Sequence, residues 1–201
     1  MKKYILCFLT LWVLSCGGDS GSSVSYSETV ERGATALNEG SYAEAIKHFS
    51  EAVAMHADRP EAFAGLGWAY LFSDSVEASE AAFSDGSMLA NPGADLQAGY
   101  AFLLGVQKNH ETSNARIVSV LAAEPQWSLS YGLNIDYKDL YLLKAENHFL
   151  LGEYSQSVLA VKQIQSSFIA NTNTAEGIAQ LAAKIESLKL TTEATPRSIL
   201  W

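Results

Sequence analysis

The sequence predicts an all-α chain: a solenoid of three to four helical hairpins closed by a C-terminal helix. Three observations predict it. Hydrophobic residues make up 48% of the 201 positions and charged residues 17%, with only four prolines, which suits a packed core crossed by uninterrupted helices. Apolar side chains recur at helical spacing through "EAFAGLGWAY", "YAEAIKHFSEAV" and "DLYLLKAENHFLL". Finally, Gly33 and Gly67, Ala45 and Ser79, and Phe49 and Phe83 are three like pairs set at one shared interval, about 34 residues. Two short helices per interval cannot bury their own apolar faces, so successive units must stack.

Lys2 and Lys3 precede the apolar run "YILCFLTLWVL", which is shorter than the ~20 residues of a membrane span and has the proportions of a secretory signal. Val13-Leu14-Ser15-Cys16 resembles the bacterial lipobox, in which the cysteine is lipidated and becomes the new N-terminus. That resemblance implies a signal peptide over 1–15, a lipid on Cys16 and a flexible Gly/Ser tether over 16–25, "CGGDSGSSVS". Loss of Lys2 and Lys3 leaves 11 basic against 22 acidic side chains, a net of −11, and no free thiol for a disulfide, zinc site or nucleophile. Gly17 after the cysteine leans, by resemblance to enterobacterial sorting, towards the outer membrane with the body facing the periplasm. The acidic balance argues against nucleic acid as a partner.

The body runs over 26–190. In the second unit Phe63, Leu66, Gly67 and Tyr70 fall on the pattern Trp-x2-Leu-Gly-x2-Tyr, and Ser79-x3-Phe83 and Pro92 follow. One unit earlier stand Ala45-x3-Phe49 and Pro60. These residues resemble the tetratricopeptide repeat, and the resemblance implies a right-handed superhelical array whose first helices line a concave groove. A third unit is expected from "DLQAGYAFLLGV" with Gly99 in the small slot. A fourth follows from Ala145 and the turn Gly152-Glu153-Tyr154. The step from Gly99 to Ala145 is about 12 residues longer than one repeat, so an insertion is expected near 126–137. There Trp127, Leu129, Tyr131, Leu133 and Ile135 alternate with polar residues, the period of an extended segment with one buried face; it is expected to lie across the array. Asp136, with Asp139 three residues on, reads as a helix cap. "TAEGIAQLAAKIESLKL" is expected as the closing helix, and 191–201 as a tail.

Chemistry-bearing motifs are lacking. His48, His56, His110 and His148 have no metal-ligand spacing, "GLGW" lies mid-helix where N–H groups are already bonded, and acid pairs such as Glu77 and Glu80 fit helix starts. The expectation is a non-enzymatic chain without a cofactor. The resemblance implies groove-facing positions at Val30, Ala34 and Leu37, at Ala64, Trp68, Leu71 and Phe72, at Leu96, Tyr100, Leu103 and Leu104, and at Leu142, Glu146, Phe149 and Leu150. Of these, Trp68, Phe72, Leu96, Tyr100, Leu103 and Glu146 are the candidate partner-binding residues, with Trp68 and Tyr100 expected one repeat apart on one wall. The apolar groove either takes a protein or peptide partner of the bacterial envelope or is filled by the insertion. A ligand-binding module holding a small molecule or glycan in an aromatic cleft is the other reading. Lipoproteins of this layout, by resemblance, serve outer-membrane assembly, pilus biogenesis and envelope complexes. Gly67 is expected where the helices of a unit approach closely; Gly65 is expected to leave room beside Trp68 for an incoming group.

Overall fold

The computed structural model describes residues 24–192. The segment expected as a signal peptide over 1–15, Cys16, most of the expected tether over 16–25 and residues 193–201 of the expected tail lie outside the described residues, while Thr191 and Thr192, expected in that tail, are helical. Within them, four antiparallel hairpins follow one another: α1 (Tyr26–Asn38) with α2 (Tyr42–Met55), α3 (Pro60–Phe72) with α4 (Val76–Ser87), α5 (Gly93–Val106) with α6 (His110–Ala123), and α7 (Tyr137–Leu150) with α8 (Tyr154–Ile164). The last helix, α9 (Ala175–Thr192), packs against α7 and α8 as the expected closing element. The odd-numbered helices touch one another along the array, whereas even-numbered ones pack extensively only against odd neighbours and α9. That asymmetry puts α1, α3, α5 and α7 on the inner wall.

The repeat is visible in the hairpin turns. Each turn uses one residue with positive φ, at Gly40 (75°), Asp74 (58°), Lys108 (62°) and Gly152 (75°). The next N–H in every case reaches back to close the helix: Ser41 to Ala36, Ser75 to Tyr70, Asn109 to Leu104 and Glu153 to His148, all at 2.8–2.9 Å. Three serines repeat the same logic. Ser79 Oγ donates to the Gly67 carbonyl (2.9 Å), Ser113 to Ala101 (2.8 Å) and Ser157 to Ala145 (2.7 Å), pinning the second helix to the first in units two, three and four.

Both series advance by one repeat, or by one repeat plus the insertion, and they correct the register of the third unit. Ala101, not Gly99, is the partner of Gly67, so the interval to Ala145 exceeds one repeat by about ten residues. Gly99 is instead the counterpart of Gly65. The two glycines of α3 therefore do different work. Phe49 lies between Gly33 of its own unit and Gly65 of the next; Phe83 lies between Gly67 and Gly99. A Cβ at Gly65 would overlap the Phe49 ring, which overturns the expectation that Gly65 keeps space beside Trp68 for an incoming group. Gly67 is close-packed against Phe83 of α4, as expected.

One hydrophobic core runs through the first three units into the insertion and Leu140 and Leu143 of α7. A second, aliphatic core joins α7, α8 and α9 through Leu142, Ala145, Val161, Leu181 and Ile185. Where α6 meets α7 a polar chain runs between them. His110 Nδ1 donates to Asn147 Oδ1 (2.8 Å), and Asn147 Nδ2 donates to Ser113 Oγ (2.9 Å) and Asn114 Oδ1 (3.1 Å). His148 Nδ1 faces the Glu153 carboxylate at 2.6 Å.

Candidate functional site

The insertion is a small hairpin laid on the inner wall. Glu124 ends α6, and Leu129 N–H then bonds the Ile135 carbonyl (2.9 Å) while Tyr137 N–H bonds that of Trp127 (2.8 Å). Gly132, at φ 82°, turns the tip. The predicted alternation is realised: Trp127, Leu129, Tyr131, Leu133 and Ile135 are all buried, and the residues between them are exposed. The extended segment is folded back on itself, its two arms joined by the Leu129 and Tyr137 bonds. It does lie across the array, because its tip reaches the first unit, with Tyr131 edge-on to Phe49 at 5.5 Å and Gly132 beside Asn38.

Asp95, in the first turn of α5, anchors the hairpin. Its carboxylate accepts from Trp127 Nε1 (2.8 Å), from Ser130 N–H (3.3 Å) and from Ser130 Oγ. Its carbonyl accepts from Trp68 Nε1 (3.0 Å). Tyr131 supplies the second anchor, donating its hydroxyl to the Glu61 carbonyl at 2.7 Å. Burial first, then the charges of Asp95, Tyr26 and Glu61, hold the Tyr131 hydroxyl well above its ordinary pKa, so it stays a donor. Where the hairpin meets α7, Asp136 is the expected cap, and with Asp139 of the first turn it forms a capping box.

Of the two readings of the apolar groove, open to a partner or filled by the insertion, the hairpin and the packing beneath it favour the second. Trp68, Phe72, Leu96 and Leu103 are at most 1% exposed, and a side chain with no surface cannot meet a partner. Leu37, Ala64, Leu71, Leu104 and Leu142 are buried with them. Val30, Ala34 and Phe149 are half-buried, and Leu150 points to solvent at 58%. Tyr100 is half-buried on a different side of α5 from the one expected. The two-residue register shift rotates it about 200° around the helix. Its ring stacks on Phe83 (5.9 Å), while Phe102 takes the place beside Trp68 (5.6 Å). The Arg116 guanidinium covers Tyr100 at 3.9 Å. No paired Trp68–Tyr100 platform exists for a sugar. Glu146 is half-buried and paired with Lys189 of the closing helix.

One part of the inner wall stays open. A cleft of about 380 Å³ lies between the N-terminal ends of α3 and α5 and the hairpin, with Glu61, Asp95, Glu124 and Tyr131 among its lining residues. Sequence reasoning missed it. The signal was present in the repeat itself, since Asp95 stands one repeat after Glu61, and Asp139 one repeat and the insertion after Asp95. An acid thus holds the same register position in three units. Among the described residues no group of three His, Cys, Asp or Glu side chains is placed to hold a metal, and no helix is long and apolar enough to cross a membrane.

Comparison with known proteins fits this geometry. Residues 36–103 match the family model for the tetratricopeptide repeat. No curated protein sequence matches the chain. Among solved structures, it is similar to a tetratricopeptide repeat protein of Parabacteroides merdae (TM-score 0.57, 15% identity), covering 85% of this chain but only 61% of that one. A thermophilic repeat protein of Thermus thermophilus gives 0.58 at 14% identity, with 83% of this chain and 82% of that chain covered. PilF of Pseudomonas aeruginosa gives 0.61 at 12% identity, with 87% and 74% covered. At such identities the likeness shows the fold alone: an all-α tetratricopeptide solenoid.

Proposed function

We propose that this tetratricopeptide-repeat protein is a non-enzymatic scaffold of the bacterial envelope, tethered to a membrane by lipid on Cys16 and holding a protein partner on its periplasmic side. Protein–protein interaction is the function the repeat fold suggests. The lipid supplies address and local concentration, and the solenoid supplies recognition. The observation that carries the reading is on the inner wall: the chain's own hairpin covers Trp68 and its neighbours, and an open cleft lies between α3, α5 and that hairpin. A partner segment entering there would meet preformed walls, so little ordering is required on binding.

Photo-crosslinking in the native envelope tests it. A crosslinker at exposed Glu124, on the cleft rim, is expected to capture a discrete partner that one at exposed Leu159, on α8, does not. Equal capture from both positions, or none from the rim, counts against the reading. The anchor has a separate check, because Cys16→Ser is expected to move the chain from the membrane to the soluble fraction.

A further inference from the structure

The open cleft has one-sided chemistry. Val30, Pro60, Pro92 and Ala94, all half-buried, give it an apolar side, Glu61, Asp95 and Glu124 line it with carboxylates, and no lysine or arginine is among its lining residues. Two helix N-termini border it, those of α3 and α5, each equivalent to about +0.5 charge; three carboxylates against them leave the cleft roughly two charges negative. Asp95 is occupied by Trp127 and Ser130; Glu61 and Glu124 stand exposed, the Glu61 carboxylate accepting a long bond from the Tyr26 hydroxyl at 3.5 Å. Arg59, next to the cleft in the chain, lies instead over the Tyr26 ring at 4.7 Å. Another open groove, beside α1 and α2, is also acidic, with Glu28, Glu31, Glu39 and Glu44 among its lining residues, but it carries basic side chains of its own: Arg32 pairs with Glu28 at 2.8 Å and His48 lies 4.0 Å from Glu44.

We infer that the cleft docks a basic segment of the partner, seating a lysine or arginine with its aliphatic stem against Val30, Pro60, Pro92 and Ala94 and its charge among the rim carboxylates. This rests on the scaffold reading above and narrows it. Apolar stem and charged head match the two halves of the cleft. A volume near 380 Å³ is at the small end of binding pockets, the size for one or two side chains of an extended peptide.

The test is fluorescence anisotropy with the full chain and two labelled probes, acetyl-Leu-Arg-Leu-Arg-amide and acetyl-Leu-Gln-Leu-Gln-amide. The arginine peptide is expected to bind at least tenfold tighter and to weaken as salt rises. Glu61→Gln with Glu124→Gln should reduce its affinity by roughly tenfold. The control Glu28→Gln with Glu31→Gln, in the other acidic groove, should leave it unchanged. Equal binding of both probes overturns the charge preference while leaving a partner cleft standing. Equal weakening by the control pair overturns the site, since it marks a diffuse effect of the acidic surface. If neither probe binds, the inference falls; the scaffold reading falls with it only if rim crosslinking also captures nothing.

Discussion

Between units one and two, and again between two and three, an aromatic ring sits in a slot cut by two glycines: Phe49 between Gly33 and Gly65, Phe83 between Gly67 and Gly99. Between units three and four the same register positions hold Ala101, Ile117 and Leu143, and a hydrogen-bonded chain through His110, Asn147, Ser113 and Asn114 lies beside them. The first kind of joint gains stability from ring burial and fails if a single β-carbon is added. The second gains less from burial and fails if one polar partner is withdrawn. One repeat can thus be joined to the next by two different physical means on the same backbone geometry. The hairpin covers the wall of the first kind.

The largest contrast comes from adding bulk. Gly65→Val is expected to destabilise the chain by about 3 kcal/mol or more, because Phe49 has no space to yield. Leu143→Val, which leaves the same side chain at the equivalent place in the third joint but removes one methylene to do so, should cost below about 1.5 kcal/mol. Urea denaturation of both variants measures the difference, and equal losses would remove the distinction between the joints. Next, Asn147→Ala should cost about 2 kcal/mol by leaving His110, Ser113 and Asn114 short of partners. Ser79→Ala, which removes one bond where no such chain exists, should cost about 1 kcal/mol. The smallest effect is Tyr131→Phe, which removes the bond to the Glu61 carbonyl and should cost about 1 kcal/mol or less at neutral pH. It carries a pH signature. Tyr131 has a folded pKa above its unfolded value near 10, so its contribution is complete below pH 10 and is lost as pH rises through the folded pKa. Melting temperature should therefore fall more steeply with alkali in the parent chain than in the variant.

Much of this is legible in the sequence because the repeat constrains several residues at once. Gly33, Ala45 and Phe49, each with a counterpart one repeat on, define the first two units, and period-two alternation marks the insertion. The third unit is misplaced by two residues because it has a glycine, Gly99, at the wrong one of two small positions. Only the turn at Lys108 and the Ser113 bond to Ala101 identify the right one, and a lysine at positive φ sends no signal in a sequence. That slip puts Tyr100 on the wrong wall. The open groove fails for another reason: helical periodicity shows that Trp68 and Phe72 face inward but not whether something covers them. Asp95 escapes notice because an acid in a first helical turn is fully accounted for by the helix dipole. Its hold on Trp127 and Ser130, 32 and 35 residues away, is a tertiary fact.

The contact of Tyr131 with Phe49 changes the topology of the array. Stacked repeats are ordinarily a one-dimensional system: each unit feels only its neighbours, and the ends open first. Here a ring from beyond the third unit touches the first across more than two repeat lengths of chain, so the line is closed into a loop. Unit one cannot fray without releasing the hairpin, and the hairpin cannot dock until unit one is in place. Unfolding followed by probes in α1 and in α5 should then coincide. Folding should be slower than in a repeat array with only local contacts, since the loop must be closed before its contact is made.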